Sequence, residues 1–367
     1  MAAAAAAVAA VAAAGLWAAS GVAAQPASWA GAIAAGNMLY TSSDAGVPAN
    51  NMPMIGNGYV ATQLMSADVY VADIYNGYLD VDPSHRARIP ATNAVAAPGI
   101  VTDAALDVLG ATYYRRSVVF PSTPGTCTIN ATTTCSNAGA LVWVEQRWYA
   151  HRVLPSVMVM EVEVLVSDTM AAAAAGGDAS THSAGATPFA MLALVNADGG
   201  PSADITFAPV ALPPGSPYTI MNGSTNVAES NSSGLQAVAV LTTAWPAGGM
   251  LAVAAANLTY TFLTVIRTSF ETPVDGLIGA VESDYAVAAA MAANGTLHSS
   301  HELEWAETVW PAGYETDRFD IAVVANTSLY ALVSSIRPDR IGGICPSGLT
   351  DGYNGHVFWD METVRAL

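Results

Sequence analysis

From residue 37 to 268 the chain is filled by short runs in which apolar and polar residues alternate, divided by clusters of Gly, Pro, Asn and Ser. A period of two marks a strand with one buried face. The clearest run is 157–166, where Met158, Met160, Val162, Val164 and Val166 share one face and Glu161 and Glu163 the other. The two carboxylates are therefore expected on a polar, solvated sheet face. Residues 141–149 and 258–267 repeat the theme, the second with Leu258, Tyr260, Phe262, Thr264 and Ile266 on one face. Many such strands without intervening helices predict stacked antiparallel sheets, a large β-sandwich. Two low-complexity stretches, 169–188 and 209–233, read as solvent-exposed insertions.

After Pro273 the period changes to that of a helix, over 275–293, 299–310 and 315–336. Ser299 with Glu302 three residues on fits a capping box at the start of the second. The third carries one stripe through Phe319, Ala322, Val323, Asn326, Tyr330 and Val333 and another through Ile321, Val324, Ala325, Leu329, Leu332 and Ile336. A helix apolar on two sides is packed on two sides, as an inner helix of a helical barrel would be, and Pro338 ends it.

Composition changes this picture little. The hydrophobic fraction of 53% is largely alanine, and the long uninterrupted apolar stretch is at the extreme N-terminus. The net charge of -18, with no arginine run longer than Arg115-Arg116 and no lysine, excludes a phosphate-binding surface and with it a nucleic-acid partner. Residues 1–24 end in Val22-Ala23-Ala24, a small-residue pattern that fits a signal peptide cleaved before Gln25 and so the secretory pathway; an uncleaved anchor and a codon-biased start are the alternatives. Six Asn-x-Ser/Thr triplets, at Asn130, Asn222, Asn231, Asn257, Asn294 and Asn326, suit a secreted glycoprotein, although Asn326 falls on a packed helical stripe. Cys127 and Cys135 are spaced to close a hairpin loop by a disulfide and Cys345 is left over; three reduced thiols are the alternative.

The segment Gly355-His356-Val357-Phe358-Trp359-Asp360-Met361-Glu362-Thr363 carries the most specific signal. Upstream come Ile55-Gly56-Asn57-Gly58-Tyr59, Tyr70-Val71-Ala72-Asp73-Ile74-Tyr75-Asn76-Gly77 and Arg86-Ala87-Arg88-Ile89-Pro90, and in the third helix Ser328-Leu329-Tyr330 with Ser334-Ser335. In this order the motifs resemble glycoside hydrolase family 65, nearest its eukaryotic glucosidase branch, with acid trehalases next and disaccharide phosphorylases behind. The resemblance implies a β-rich N-terminal super-sandwich of antiparallel sheets, a helical linker and the beginning of an (α/α)6 barrel. The corresponding division is 25–272, 273–312 and 313–367.

The implied activity is inverting hydrolysis of an α-linked glucosyl disaccharide unit, of the glucosylgalactosyl hydroxylysine or trehalose kind. Two other classes compete with it: a disaccharide phosphorylase, and a non-catalytic carbohydrate-binding sandwich. By the same resemblance Trp359 stacks on a glucose ring and Asp360 accepts bonds from its hydroxyls. His356 either bonds a sugar hydroxyl or orders the loop, and Tyr353 and Glu362 support it from behind. After Thr363 the family continues with Trp and an aromatic-Pro segment where this chain has Val364 to Leu367. The general acid is thus expected beyond Leu367, and residues 1–367 alone are expected to be inactive.

Other constellations carry less. His301-Glu302-Leu303-Glu304-Trp305 lacks the second histidine of a zinc-binding helix and reads as linker. Without a Gly-rich phosphate loop, nucleophile elbow or Cys-His spacing in the sequence, neither cofactor nor metal is expected.

Overall fold

The computed structural model describes residues 28–48, 51–78, 82–90, 94–96, 99–119, 142–165, 190–196, 201–230, 233–253, 258–312, 316–340 and 343–358. A nine-stranded antiparallel sheet dominates. Its order is Met38–Thr41, Gly99–Asp107, Thr112–Val119, Val142–Ala150, Val157–Leu165, Leu258–Thr268, Ala237–Thr243, Tyr218–Thr225 and Ile205–Pro209. A four-stranded sheet (Met54–Gly56, Val60–Gln63, Asp68–Val71, Ile89–Pro90), a three-stranded one (Met250–Val253, Ala190–Asn196, Ala94–Ala96) and the ribbon Tyr75–Tyr78 with Asp82–Arg86 complete the strands. Met158, Met160, Val162 and Val164 meet Ile55, Leu64, Val69, Ile74 and Ile89 of the smaller sheet and ribbon region in one core. This is the sandwich that the alternation predicts, with helices following late in the chain.

The helices are α1 (Ala30–Ala34), α2 (Leu277–Ala293), α3 (Leu297–Thr308) and α4 (Phe319–Val333). The expected capping box is not formed. The cap position of α3 is Thr296, without a side-chain cap bond, and Ser299 instead donates to the Thr296 carbonyl at 3.3 Å. The helix begins two residues earlier than Ser299 because Leu297, fully buried, anchors its first turn.

The second face of the large sheet is not solvated, which corrects the expectation for Glu161 and Glu163. Tyr149, Val157, Val159, Leu263 and Val265 on that face pack against Leu277, Val281 and Ala288 of α2 and Leu297 of α3. Arg267 ties α2 down through Asp284 at 2.7 Å. Glu161 is consequently buried, 5% exposed, and pairs with Arg147 Nε at 3.1 Å, while Glu163 lies 3.5 Å from the other end of the same guanidinium. Burial raises the Glu161 carboxyl above its ordinary range, with Arg147 opposing.

The stretch 209–233 is also corrected. It contributes the strand Tyr218–Thr225, next to the sheet edge, whose polar sequence buries little more than Ile220 and Thr225. Stretch 169–188, Val166, the N-terminal segment 1–24, Cys127, Cys135, Asn130, Asn231 and Asn257 lie outside the described residues. Asn294 is exposed at the end of α2, whereas Asn326 is buried and donates to Asn37 Oδ1 at 2.8 Å. Cys345 is buried, with its Sγ 3.2 Å from Ser347 Oγ and donating to the Gly352 carbonyl at 3.3 Å.

Among the described residues, α4 is clamped to the sandwich on one side. Ala322, Asn326 and Tyr330 are buried, and Tyr330 shares the main core with Trp305 and donates to the Met54 carbonyl at 2.9 Å. On the other stripe Ile321 and Val324 are exposed, as is Phe319 at the N-terminal end. Two glycines set the approach. Gly58, at φ +88, donates to the Ser334 carbonyl at 2.8 Å, and a Cβ there would stand 1.9 Å from the Ile336 carbonyl oxygen. A Cβ on Gly56 would lie 2.7 Å from the Ser334 carbonyl oxygen.

Candidate functional site

Beyond α4 the chain runs from Gly343 to Phe358 with no regular structure except the short turn Gly352–Gly355. Tyr353, Asn354 and Gly355 there are all left-handed, at φ 52, 57 and 74. For Tyr353 this is a conformation that costs of order 1–3 kcal/mol and persists only where surroundings hold it. The surroundings are the motifs singled out upstream. Arg86, 6% exposed, donates from Nη1 to the Gly348 and Thr350 carbonyls, both at 3.0 Å, and from Nη2 to the Gly355 carbonyl at 3.2 Å. Tyr75 donates to the same Gly355 carbonyl at 2.7 Å and accepts from Arg86 Nη2 at 3.3 Å. Gly348 sits against Met54 and Ser335, and Leu349 packs with Ala61, Tyr70 and Ala72.

The scaffold under this loop is itself cross-tied. Asn57 donates to the His151 and Pro155 carbonyls, both at 2.9 Å, and accepts from the Tyr59 and Val60 amides. Asp204 accepts from the Arg88 amide at 2.9 Å and its Nε at 2.8 Å and faces His85 Nε2 at 2.8 Å. Burial alone would raise the Asp204 carboxyl, but the Arg88 and His85 bonds outweigh it and hold it down at about 2.

His356 is half-buried with its ring 5.9 Å from that of Tyr75, and its amide donates to the Tyr353 carbonyl at 3.1 Å. Burial raises the Glu229 carboxyl, and the neighbouring His356 opposes that rise. Tyr353 and Phe358 are exposed and meet edge to face at 5.9 Å. Trp359, Asp360 and Glu362 lie outside the described residues. The loop thus delivers the chain, from a fixed Gly355, into the segment singled out for sugar recognition. Sequence reasoning quoted Arg86 and Tyr75 within motifs but assigned them no role.

A second cluster, also missed, lies between the large sheet and α3. His151, His298 and His301 surround Tyr149, with ring centroids 6.2, 5.0 and 4.7 Å from it. His151 Nδ1 accepts from the Val153 and Leu154 amides at 3.2 and 3.0 Å, and Nε2 faces the Leu297 carbonyl at 3.0 Å. The neutral ring with its proton on Nε2 satisfies all of these. His301 Nδ1 likewise accepts from the Arg152 amide at 3.1 Å. Burial lowers His151 to about 4 and His298 to about 3, and His301 falls well below the ordinary value, with its two neighbours adding repulsion. Among the described residues no three His, Cys, Asp or Glu side chains are disposed to hold a metal ion.

No family model matches the chain. It is 31% identical over 352 residues to the protein-glucosylgalactosylhydroxylysine glucosidase of Dictyostelium discoideum, an alignment that covers 91% of this chain and 43% of the relative. Among solved structures, a candidate kojibiose phosphorylase from the human microbiome superposes with a TM-score of 0.56 at 11% identity, over 90% of this chain and 43% of that one. The chain therefore spans less than half the length of either protein. By sequence the chain is similar to a glucosidase and by fold to a candidate disaccharide phosphorylase, a likeness to glycoside hydrolase family 65.

Proposed function

We propose that the protein carrying this chain is a glycosidase that removes glucose from an α-linked glucosyl disaccharide unit with inversion, and that residues 25–272 form the sandwich on which a catalytic barrel, begun at 313, is seated. The observation that carries the reading is kinship with a glucosidase across 91% of the chain, joined to an anchored loop that leads into Trp359 and Asp360. In this reading the Trp359 indole lies against the pyranose ring and Asp360 accepts bonds from its hydroxyls. A charge-assisted bond of that kind contributes ~1.5–3 kcal/mol. His356, held beside Tyr75, bonds a sugar hydroxyl or keeps the loop in shape.

Inversion requires a protonated carboxyl at the glycosidic oxygen and a carboxylate directing water from the opposite side, ~6.5–9.5 Å apart. Both belong to the barrel beyond the described residues, and neither step requires a cofactor. The N-terminal apolar segment and the exposed acceptor Asn294 support a secretory location.

Phosphorolysis is the competing chemistry, favoured only by the fold shared with a candidate phosphorylase. The test is anomer-resolved NMR of the full-length protein acting on kojibiose, trehalose and glucosylgalactosyl hydroxylysine, with and without phosphate. Release of β-glucose in phosphate-free buffer supports the reading. Phosphate-dependent glucose 1-phosphate selects the phosphorylase, and no turnover of any of the three defeats both.

A further inference from the structure

We propose that Asn294 is the residue to which an N-glycan is attached once the chain enters the secretory lumen. Of the three Asn-x-Ser/Thr triplets within the described residues, at Asn222, Asn294 and Asn326, it alone is free to carry one. The proposal rests on the secretory reading above, because the donor, an oligosaccharide on a lipid pyrophosphate, is met only there. In the transfer Asn294 Nδ2 attacks the anomeric carbon of that oligosaccharide. The C1–N bond forms, the C1–O bond to pyrophosphate breaks, and the lipid pyrophosphate leaves with the electron pair while the carboxamide gives up one proton.

A triplet states only that the chain can be read as an acceptor; the fold decides which asparagine can hold a bulky, hydrated sugar. Asn294 caps the C-terminus of α2 at φ -87, ψ -1, and Gly295 follows in the left-handed region at φ +69. The Thr296 amide donates to the Met291 carbonyl at 2.9 Å and the Gly295 amide to the Ala292 carbonyl at 3.0 Å. This is a Schellman cap, which closes a helix by main-chain bonds alone. The Thr296 hydroxyl adds a bond to the same Met291 carbonyl at 3.3 Å. None of these bonds uses the Asn294 carboxamide, so the elbow between α2 and α3 keeps its shape whatever that side chain bears. Residues 293–296 are all exposed, and a Cβ added at Gly295 would meet nothing within 4 Å. Leu297, buried at the start of α3, holds the far side of the elbow down.

The other two triplets fail on the same grounds. Asn326 is 6% exposed, and its Nδ2, the atom that would be substituted, donates to Asn37 Oδ1 at 2.8 Å. A sugar there would break that bond and keep α4 off the sandwich. Asn222 lies inside the strand Tyr218–Thr225, paired with Ala208 on one side and Ala239 on the other. Its Oδ1 is buried, on the sheet face that Ile220 and Leu241 share with α2.

The test is site-resolved glycopeptide mass spectrometry of the full-length protein secreted by a eukaryotic host, before and after enzymatic removal of N-glycans. Asn294 should be substituted in most molecules and Asn222 and Asn326 in almost none. Asn294→Gln and Thr296→Ala should each abolish the glycan at this position, while Thr296→Ser, which keeps the hydroxyl, should retain it. Secreted, folded protein with a bare Asn294, or with a glycan on Asn222 or Asn326, overturns the proposal. A parallel preparation behind a foreign signal peptide separates the two readings. A glycan on Asn294 only in that preparation defeats the secretory location and upholds the choice of acceptor; a bare Asn294 in that preparation defeats the choice itself.

Discussion

Acidification should detach α2 and α3 from the sheet, and the three histidines around Tyr149 let the size of the effect be worked out. Lowering the pH from 7 to 5 is the perturbation. An unfolded histidine titrates near 6.5, whereas folded His151 and His298 hold out to about 4 and about 3. Between those values the unfolded chain takes up protons that the folded chain refuses, so stability falls as pH falls. At 1.36 kcal/mol per pH unit, each of the two contributes a loss of about 2 kcal/mol between pH 7 and 5. His301 adds to it in the same direction. The physical cause is specific: a proton on Nδ1 of His151 would face two amide donors, and one on Nδ1 of His301 would face the Arg152 amide.

The groups facing the cluster fix the window. Arg147 and Arg152 add positive charge, and Glu161, Glu302 and Asp107 lie nearby with their carboxyls raised, each chiefly by burial. As pH falls these carboxyls protonate sooner in the folded state than in the unfolded one and return part of the lost stability, which is why the variant is compared with the wild type at the same two pH values. Urea unfolding of the chain at pH 7 and 5, compared with His298→Gln, is the assay. The wild type should lose several kcal/mol and the variant about 2 kcal/mol less. Equal stability at the two pH values, or a variant that loses as much as the wild type, would refute the reasoning.

Three further outcomes follow from other parts of the molecule. Gly58→Ala forces a side chain to within 1.9 Å of the Ile336 carbonyl oxygen at a left-handed position, so urea unfolding should show a loss of ~2–5 kcal/mol, whereas Gly46→Ala, also left-handed but in open space, should cost only the ~1–2 kcal/mol of the backbone. Asp204→Asn removes a carboxylate held at about 2; it should cost about 2 kcal/mol at pH 7, and the difference from wild type should vanish as pH drops from about 4 towards 2, where the native carboxyl is protonated as well. In the full-length protein Asp360→Asn should lower kcat/KM roughly 30- to 150-fold, as the loss of one charge-assisted bond of ~2–3 kcal/mol implies, with an unchanged thermal midpoint; a fallen midpoint with intact kinetics would make Asp360 a structural cap.

The parts of the fold that were legible in the sequence are those in which periodicity is local. Met158 to Val164 announce their face by alternation alone, whereas the two apolar stripes of the third helix did not distinguish the buried one, through Ala322, Asn326 and Tyr330, from the one that carries the exposed Ile321 and Val324. What alternation does not give is what lies over a face. Glu161 and Glu163 were assigned correctly to the side opposite the methionines, but the helices α2 and α3 that cover much of that side arrive more than a hundred residues later. The strand Tyr218–Thr225 was hidden because near a sheet edge it needs only Ile220 and Thr225 inside, so its composition is that of a loop. Arg86 had no periodic signature at all, since three of its partners are main-chain carbonyls far along the chain, which no side-chain type betrays. The histidines share that silence: His151 on one side and His298 with His301 on the other look ordinary until the helix is laid on the sheet.

The tight seat of α4 on Gly56 and Gly58 also bears on how proteins of this architecture can be recombined. A chimera that joined this sandwich to a foreign barrel at residue 313 would replace the Ser334 and Ile336 carbonyls, for which the two glycines leave room, together with Tyr330, which completes the sandwich core. It would also discard the Gly348, Thr350 and Gly355 carbonyls and leave the Arg86 guanidinium buried without them. A junction placed after 358 keeps all of these pairs together. The unit of exchange is therefore the sandwich with α4 and the loop that follows it, and functional hybrids should be recovered only from crossovers that respect it.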